Sequence, residues 1–326
     1  MHYNFCTYFD SNYACFGIAL YNSLLKNCEK FTLHVCCLDE RMFRILSELN
    51  LPHIIAFPLS DIEKYDPEFA ESKINRSIVE YYFTLSPVLP GYIFATYTGI
   101  ETLTYLDSDL FFFTSPDPIY REFGEKSLSL IDHNFSPEQQ WREKYGKYNL
   151  AFQIYRNDKN TAECLKWWRK KCIEWCYDRV EGDKFADQKY LEKWQSRFQG
   201  VHELKHPGIN IAPWNWSNCN IDIISADFPL VDSEPLIFFH YQGVRILGPR
   251  LLFHNQGSYG SVMPKELLKF FYDTYFKALK EAEKLLRQSK HYDDLSMMSN
   301  NRRSGYGYGR IRSLLSAIKN NNLMLV

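Results

Sequence analysis

The stretch 102-TLTYLDSDLFFF-113 places two aspartates, Asp107 and Asp109, one residue apart in a run otherwise suited to a hydrophobic core. Unpaired charge is costly in such a place. Residues 102–106 read as a strand, and successive side chains of extended backbone alternate faces, so both carboxylates point the same way. The pair follows the strand's end, where an open α/β sheet forms its ligand crevice. Two hard oxygen ligands there suit Mg²⁺ or Mn²⁺, and such an ion grips phosphate oxygens. The bland alternative is a pair of solvated turn residues, one of them capping a helix over 117–123.

Working outward, residues 2–9, 31–38 and 53–57 read as strands, with helical apolar spacing over 12–27, 40–49 and 75–88 between and after them. With 102–106 as the fourth strand, this alternation predicts an α/β fold, a mostly parallel central sheet with helices on both faces. The second half is less regular. Strands are expected at 127–133, 149–155, 201–204, 220–225 and 235–240, and Trp-rich helices at 158–179 and 183–197. A polar, aromatic insertion separates the first two of these strands. Residues 264–288 form a strongly amphipathic helix with proline near its start. The reading divides the chain into a main domain over 1–262, this C-terminal helix within 263–290, and a polar tail over 291–326. Within the tail, 310–326 is expected to form a short basic amphipathic helix.

The chain has 326 residues, and 45% hydrophobic with 17% aromatic content argues for a packed core. A formal net charge of −1 gives no global attraction to nucleic acid. Nine cysteines lack any C-x-x-C pair, which argues against a zinc knuckle and suits a reduced, cytoplasmic setting. No secretory signal and no apolar run of the roughly 18 residues a membrane helix needs is apparent.

Four separated stretches carry more specific information: 5-FCTYFDSNYACFGIALYNSLL-25, 105-YLDSDLFFF-113, 148-YNLAFQIYRN-157 with 186-ADQKYLEKW-194, and 237-IFFHYQGVR-245. In this order they resemble the nucleotide-sugar glycosyltransferases of the GT-A fold, closest to glycosyltransferase family 8, over about residues 3–247. The resemblance implies that residues 1–262 form a Rossmann-like GT-A domain. It implies that the backbone around Thr7 and Tyr8 meets a uracil edge, and that Asp10, Asn12 and Tyr13 contact the nucleoside, with helix capping as the structural alternative for Asp10 or Asn12. Asp107, Ser108 and Asp109 would form the metal motif, with His240 as third ligand, a set that shifts preference toward Mn²⁺. Asn149 would line the sugar side, Asp187 would hold sugar hydroxyls, and Gln188 would lie near the reacting anomeric carbon. Gly243 would let the backbone approach the diphosphate.

The lysine and proline-tryptophan pair of that family is replaced here by 245-RILGPRL-251, leaving Arg245 or Arg250 as candidate cation for the leaving diphosphate. Trp214 and Trp216 are candidate stacking faces on the acceptor side. The implied reaction moves a sugar, with retention, from a UDP-sugar to a hydroxyl of a glycan or lipid-linked acceptor. Arg302, Arg303, Arg310, Arg312 and Lys319 suggest peripheral contact of the tail with an anionic inner membrane face. Three rivals compete. A sugar nucleotidyltransferase would normally carry a basic glycine-rich first loop, absent from YFDSNYACFG. A glycosidase would use the two aspartates as its acid/base pair, but they stand too crowded for that role. The third is a non-catalytic carbohydrate- or nucleotide-binding protein of the same fold.

Overall fold

The structure is a computed structural model and describes residues 2–225, 228–248, 250–293 and 322–325. Its first half is a β/α series. Strand β1 (Tyr3–Phe9) leads into helix α1 (Ala14–Asn27), and β2 (Phe31–Cys37) into α2 (Glu40–Leu49). After β3 (Ile54–Pro58) come α3 (Leu59–Tyr65), α4 (Pro67–Ser72), α5 (Ile78–Leu85) and α6 (Val88–Thr96), then β4 (Thr102–Leu106). The chain continues through β5 (Leu110–Phe112), α7 (Asp117–Phe123), β6 (Leu128–Asp132), β7 (Tyr148–Asn149), β8 (Phe152–Arg156), α8 (Lys159–Glu174), α9 (Trp194–Arg197) and β9 (Val201–Leu204).

The main sheet runs β3-β2-β1-β4-β8-β6-β7, with β9 beside β6. Strands β3, β2, β1 and β4 are mutually parallel, β8 runs against both β4 and β6, and β9 is parallel to β6. The predicted mostly parallel sheet is therefore correct.

Period-two alternation sorts the strands onto two cores. Phe5, Phe9, Leu33, Val35 and Leu106 join α1 on one face. Cys6, Cys36, Leu103 and Tyr105 join Ile62, Leu85, Ile93 and Trp168 on the other. Burial on both faces explains why these strands read as nearly continuous apolar runs. Local capping sets the helix starts. Asp39 accepts from the Met42 N–H at the head of α2, and Ser77 and Glu80 form a capping box on α5.

The remaining strands are β10 (Ile221–Ser225), β11 (Phe228–Val231), β12 (Glu234–Pro235), β13 (Phe238–His240), β14 (Arg245–Gly248) and β15 (Leu251–Phe253), followed by α10 (Lys265–Leu286) and β16 (Leu323–Leu325). Helix α10 packs on α1, burying Phe271, Tyr275, Leu279 and Ala282. Its Tyr275 ring stacks on Tyr241 with centroids 3.7 Å apart, and the Tyr241 hydroxyl donates to the Phe271 carbonyl at 2.9 Å. The C-terminal helix thus buttresses the segment that follows β13.

The helix expected over 75–88 is α5, which stops at Leu85 just before Pro87, and a separate helix, α6, begins at Val88 with Pro90 in its first turn, where no intrahelical N–H bond is needed. Two local expectations need correction. Residues 183–197 are not one helix. Ala186 adopts a left-handed φ of 45°, and only a 3₁₀ turn (Gln188–Lys193) and the short α9 follow. The expected helix over 310–326 fails at its end, where β16 pairs antiparallel with β15. The five cationic tail residues proposed for membrane contact lie outside the described residues.

Candidate active site

The opening puzzle is answered by strand pairing. Strand β5 pairs antiparallel with β13, setting His240 opposite Leu110. The backbone closes the arrangement: the Asp107 N–H donates to Ala151 O (2.9 Å), the Tyr241 N–H to Asp109 O (3.0 Å), and the His240 N–H to Ile211 O (2.8 Å). One potential ligand atom from each of Asp107, Asp109 and His240 then lies within 4.8 Å of the others. His240 Nε2 stands 3.1 Å from Asp109 Oδ1 and 3.9 Å from Asp107 Oδ2.

These groups fit a divalent cation. The His240 ring is buried, and neither of its nitrogens has a hydrogen-bond partner. The Tyr105 hydroxyl donates to Asp107 Oδ1 at 2.7 Å, which leaves Oδ2 on the side facing His240. Burial and then the charge of Asp109 hold the Asp107 carboxyl above the usual carboxylate range. Burial alone would depress the His240 imidazole, but Asp109 and Asp107 outweigh it and hold it above its ordinary value. Two carboxylates in mutual opposition beside an unsatisfied imidazole form a donor set that a cation relieves. Trp214 meets the His240 ring edge-on at 5.2 Å, and its Nε1 donates to His133 O at 2.8 Å, so the imidazole is held from behind.

Two cavities meet at this cluster. One, of about 760 Å³, is lined by Tyr8, Asp10, Asn12, Tyr13, Asp39, Tyr82, Asp107, Ser108 and Asp109 among others. The second, of about 800 Å³, is lined by Asn149, Asp187, Gln188, His240, Arg142 and Tyr259 among others. Tyr8, Phe83, Asp107, Asp178 and Gln242 face both. Asp109 lines the first cavity and His240 the second, with Asp107 between them.

In the first cavity Asp10 shapes its own loop, accepting from the N–H groups of Asn12 (3.0 Å) and Tyr13 (3.1 Å) and from Asn12 Nδ2 (2.8 Å). Asp10 thus closes a turn ahead of α1 without capping the helix, whose N-cap is Tyr13 with no side-chain cap bond, and it also borders the cavity. Asp39 secures the same loop, accepting from Ser11 N (2.9 Å) and Ser11 Oγ (2.8 Å).

In the second cavity His133 Nδ1 donates to Lys147 O (3.0 Å), and Asn149 Nδ2 donates to His133 Nε2 (3.0 Å). This fixes one tautomer and locks Asn149, while burial drives the His133 pKa down to about 3. Asp187 Oδ2 is buried without a partner, and burial pushes this carboxyl up to about 7. Gln188 Nε2 donates to Tyr145 O at 3.3 Å.

Five expected site residues line neither cavity, the exposed Arg250 among them. Thr7 is fully buried inside β1. Gly243 sits in a turn with φ +73°, where a Cβ would strike Asn255 Nδ2 at 2.3 Å, so its glycine serves the turn. Arg245 stacks over Phe253, 4.1 Å from the ring centroid. Trp216 donates Nε1 to Ser261 Oγ at 2.6 Å. Trp214, in turn, is 3% exposed and backs His240 instead of offering a free stacking face.

Sequence reading missed Asp39, Asp178, Arg142, Lys144 and Tyr259. Asp39 had a usable signal, since it follows the end of β2 as Asp10 and Asp107 follow β1 and β4. Arg142 and Lys144 belong to the polar, aromatic insertion, which forms a 3₁₀ helix over Pro137–Tyr145.

This sheet, with its carboxylate pair after the fourth strand and an imidazole returning on β13, is the GT-A glycosyltransferase fold. The solved galactosyltransferase LgtC, in complex with donor and acceptor sugar analogs, superposes with a TM-score of 0.52 at 16% identity, covering 89% of this chain and 98% of that one. The chain belongs to the same family as the uncharacterized protein YfnD of Bacillus subtilis strain 168, which is 32% identical over 262 residues, 79% of this chain and 83% of YfnD. YfnF of the same organism is 29% identical over 250 residues, 74% of this chain and 82% of YfnF. No protein-family model matches the sequence.

Proposed function

We propose that this chain transfers a sugar from a nucleotide-diphosphate donor, a UDP-sugar, to a hydroxyl acceptor, assisted by Mn²⁺ or Mg²⁺. One observation carries the reading: Asp107, Asp109 and His240 stand on the wall shared by two cavities, with Asp109 on one side and His240 on the other. The cavity assigned to the nucleotide supports it further. Five aspartates (Asp10, Asp39, Asp107, Asp109 and Asp178) line it, and among its described lining residues there is no lysine, arginine or histidine. A diphosphate placed there needs a cation that the side chains do not supply.

An ion held by Asp107, Asp109 and His240 would take up the negative charge that grows on the diphosphate as the bond to the sugar breaks. The other roles fall to the chain itself. The Asp10–Asn12–Tyr13 loop, held by Asp39, receives the nucleoside. Asn149, locked by His133, faces the sugar. Asp187 brings an unpartnered carboxylate oxygen to the sugar cavity, where a sugar hydroxyl can satisfy it. Gln188 stands beside the reacting carbon. Retention of configuration follows, in this proposal, if the acceptor hydroxyl attacks the anomeric carbon on the face the diphosphate leaves, the new C–O bond replacing the broken one and the hydroxyl proton passing to the departing diphosphate. Residues 1–262 are taken as the catalytic unit, with α10 as its support. The solved LgtC structure holds donor and acceptor sugar analogs on the same fold, which supports a donor and an acceptor side here.

Calorimetry with UDP, with and without Mn²⁺, tests the proposal. Metal-enhanced binding supports it, whereas metal-independent binding or none returns the chain to a non-catalytic binding role. Membrane contact by the tail remains a separate proposal, tested by liposome sedimentation of full-length protein against a chain ending at residue 290. Among the described residues no helix is long and apolar enough to cross a membrane.

A further inference from the structure

The sugar cavity carries charge that the transfer chemistry does not use. Three cations line it: Arg142, Lys144 and Arg179. Arg179 pairs with Glu181 at 3.2 Å. Among the described residues Arg142 and Lys144 have no carboxylate partner within salt-bridge distance. Arg142 is nevertheless held firmly. Its Nε donates to Gln139 Oε1 (2.7 Å) and its Nη2 to Ser258 O (2.8 Å), and its guanidinium lies 4.6 Å from the ring centroids of both Trp141 and Tyr259. The Lys144 amine is 4.8 Å from the rings of Trp141 and Tyr145. Trp141 is 53% exposed, a large apolar face left in water beside two cations.

A solvated basic surface would leave such side chains free to move. Here a guanidinium is ordered by neutral partners and kept without a counter-charge, an arrangement suited to receiving a planar or tetrahedral anion. No residue of the 134–147 insertion lines the nucleotide cavity, so this charge is not placed to serve the donor. Gln188, whose amide donates to Tyr145 O, ties the insertion to the sugar side.

Resting on the transferase reading, we propose that the acceptor is an anionic glycan. Arg142 and Lys144, held over the Trp141 ring, bind a carboxylate or phosphate on it, while Tyr145 on the cavity wall flanks the sugar that bears this group.

The test uses the full-length chain in its UDP–Mn²⁺ form, with methyl glucuronide, a hexose phosphate and methyl glucoside as ligands in saturation-transfer NMR titrations. At least one anionic sugar should bind about tenfold more tightly than the neutral one, as expected for charge-assisted hydrogen bonds. An Arg142→Gln/Lys144→Gln double variant, checked for folding by circular dichroism, should lose that preference and keep its affinity for UDP with Mn²⁺. Whether glucuronide or phosphate binds better identifies the anion. Equal binding of all three sugars, or binding of none, overturns the proposal, as does a preference that survives in the double variant. Loss of UDP affinity in the double variant would move the cations to the donor and overturn it equally. Failure of the unaltered chain to bind UDP with Mn²⁺, measured before any sugar is added, counts against the transferase reading alone.

Discussion

The two cavities that share Asp107 are built in different ways. The nucleotide side is assembled from residues just past the ends of parallel strands: Asp10 after β1, Asp39 after β2, and Asp107 with Asp109 after β4. It is acidic, with no basic side chain among its described lining residues. The sugar side is assembled from separated connections: the 3₁₀ insertion with Arg142 and Lys144, the irregular approach to Asp187, and the loop that carries Tyr259. It holds cations and aromatic rings. The sheet presents the chemistry that such folds have in common, and the connections present what distinguishes one chain from another.

The sharpest break in this comparison is Asp109→Ala. It should lower turnover of a nucleotide sugar by about 10²–10³ or more, the scale seen when one transition-state charge stabiliser is removed. The unfolding temperature should stay within a few degrees, and unchanged turnover would remove the shared wall as the site of chemistry. Chelation comes next. EDTA should weaken UDP binding by at least about tenfold and restored Mn²⁺ should recover it, as expected if the acidic cavity depends on a cation.

On the sugar side, Asp187 yields a prediction with two readouts. Burial raises its folded carboxyl to about 7 from an ordinary value of 3.8. The folded chain therefore binds more protons than the unfolded chain between those values, and stability falls as pH rises through that window. Asp187→Asn removes the loss. The variant should be more stable than the unaltered chain at pH ~8 by up to about 4 kcal/mol in urea denaturation, while transferring sugar more slowly. A variant that is no more stable above neutrality would show that the carboxylate is well solvated or paired in the folded protein.

Smaller still, Asp39→Ala should cost about 1–2 kcal/mol through its lost helix cap, and should weaken nucleotide binding by freeing Ser11. Arg245→Gln should change UDP affinity by about twofold or less, because the guanidinium stacks on Phe253 outside both cavities. A large effect there would redraw the boundary of the nucleotide side.

Legibility in the sequence follows the same division. Strands buried on both faces leave continuous apolar runs, so β1, β2 and β4 could be read directly, and the residues at their ends with them. The carboxylate pair was readable as two acids that follow a strand, and His240 as part of a short aromatic strand, but the structure holds Asp107 and Asp109 in the turn between β4 and β5, so that turn and not strand alternation brings the two together. Where the backbone leaves regular geometry the reading failed. Ala186 in its left-handed conformation broke an expected helix just before Asp187. Trp214 and Trp216 looked alike as aromatic faces, yet one backs His240 and the other bonds Ser261.

Sequence alone determined the parallel first half of the sheet and the carboxylate pair, because alternation and apolar run length are local properties of the chain. Tertiary structure decided that His240 meets that pair, that Arg142 rests between Trp141 and Tyr259, and that Arg245 stacks on Phe253 and lines neither cavity. Those outcomes depend on packing between residues about a hundred or more positions apart in most cases, and no local pattern encodes which of several similar side chains will be brought to the same cavity.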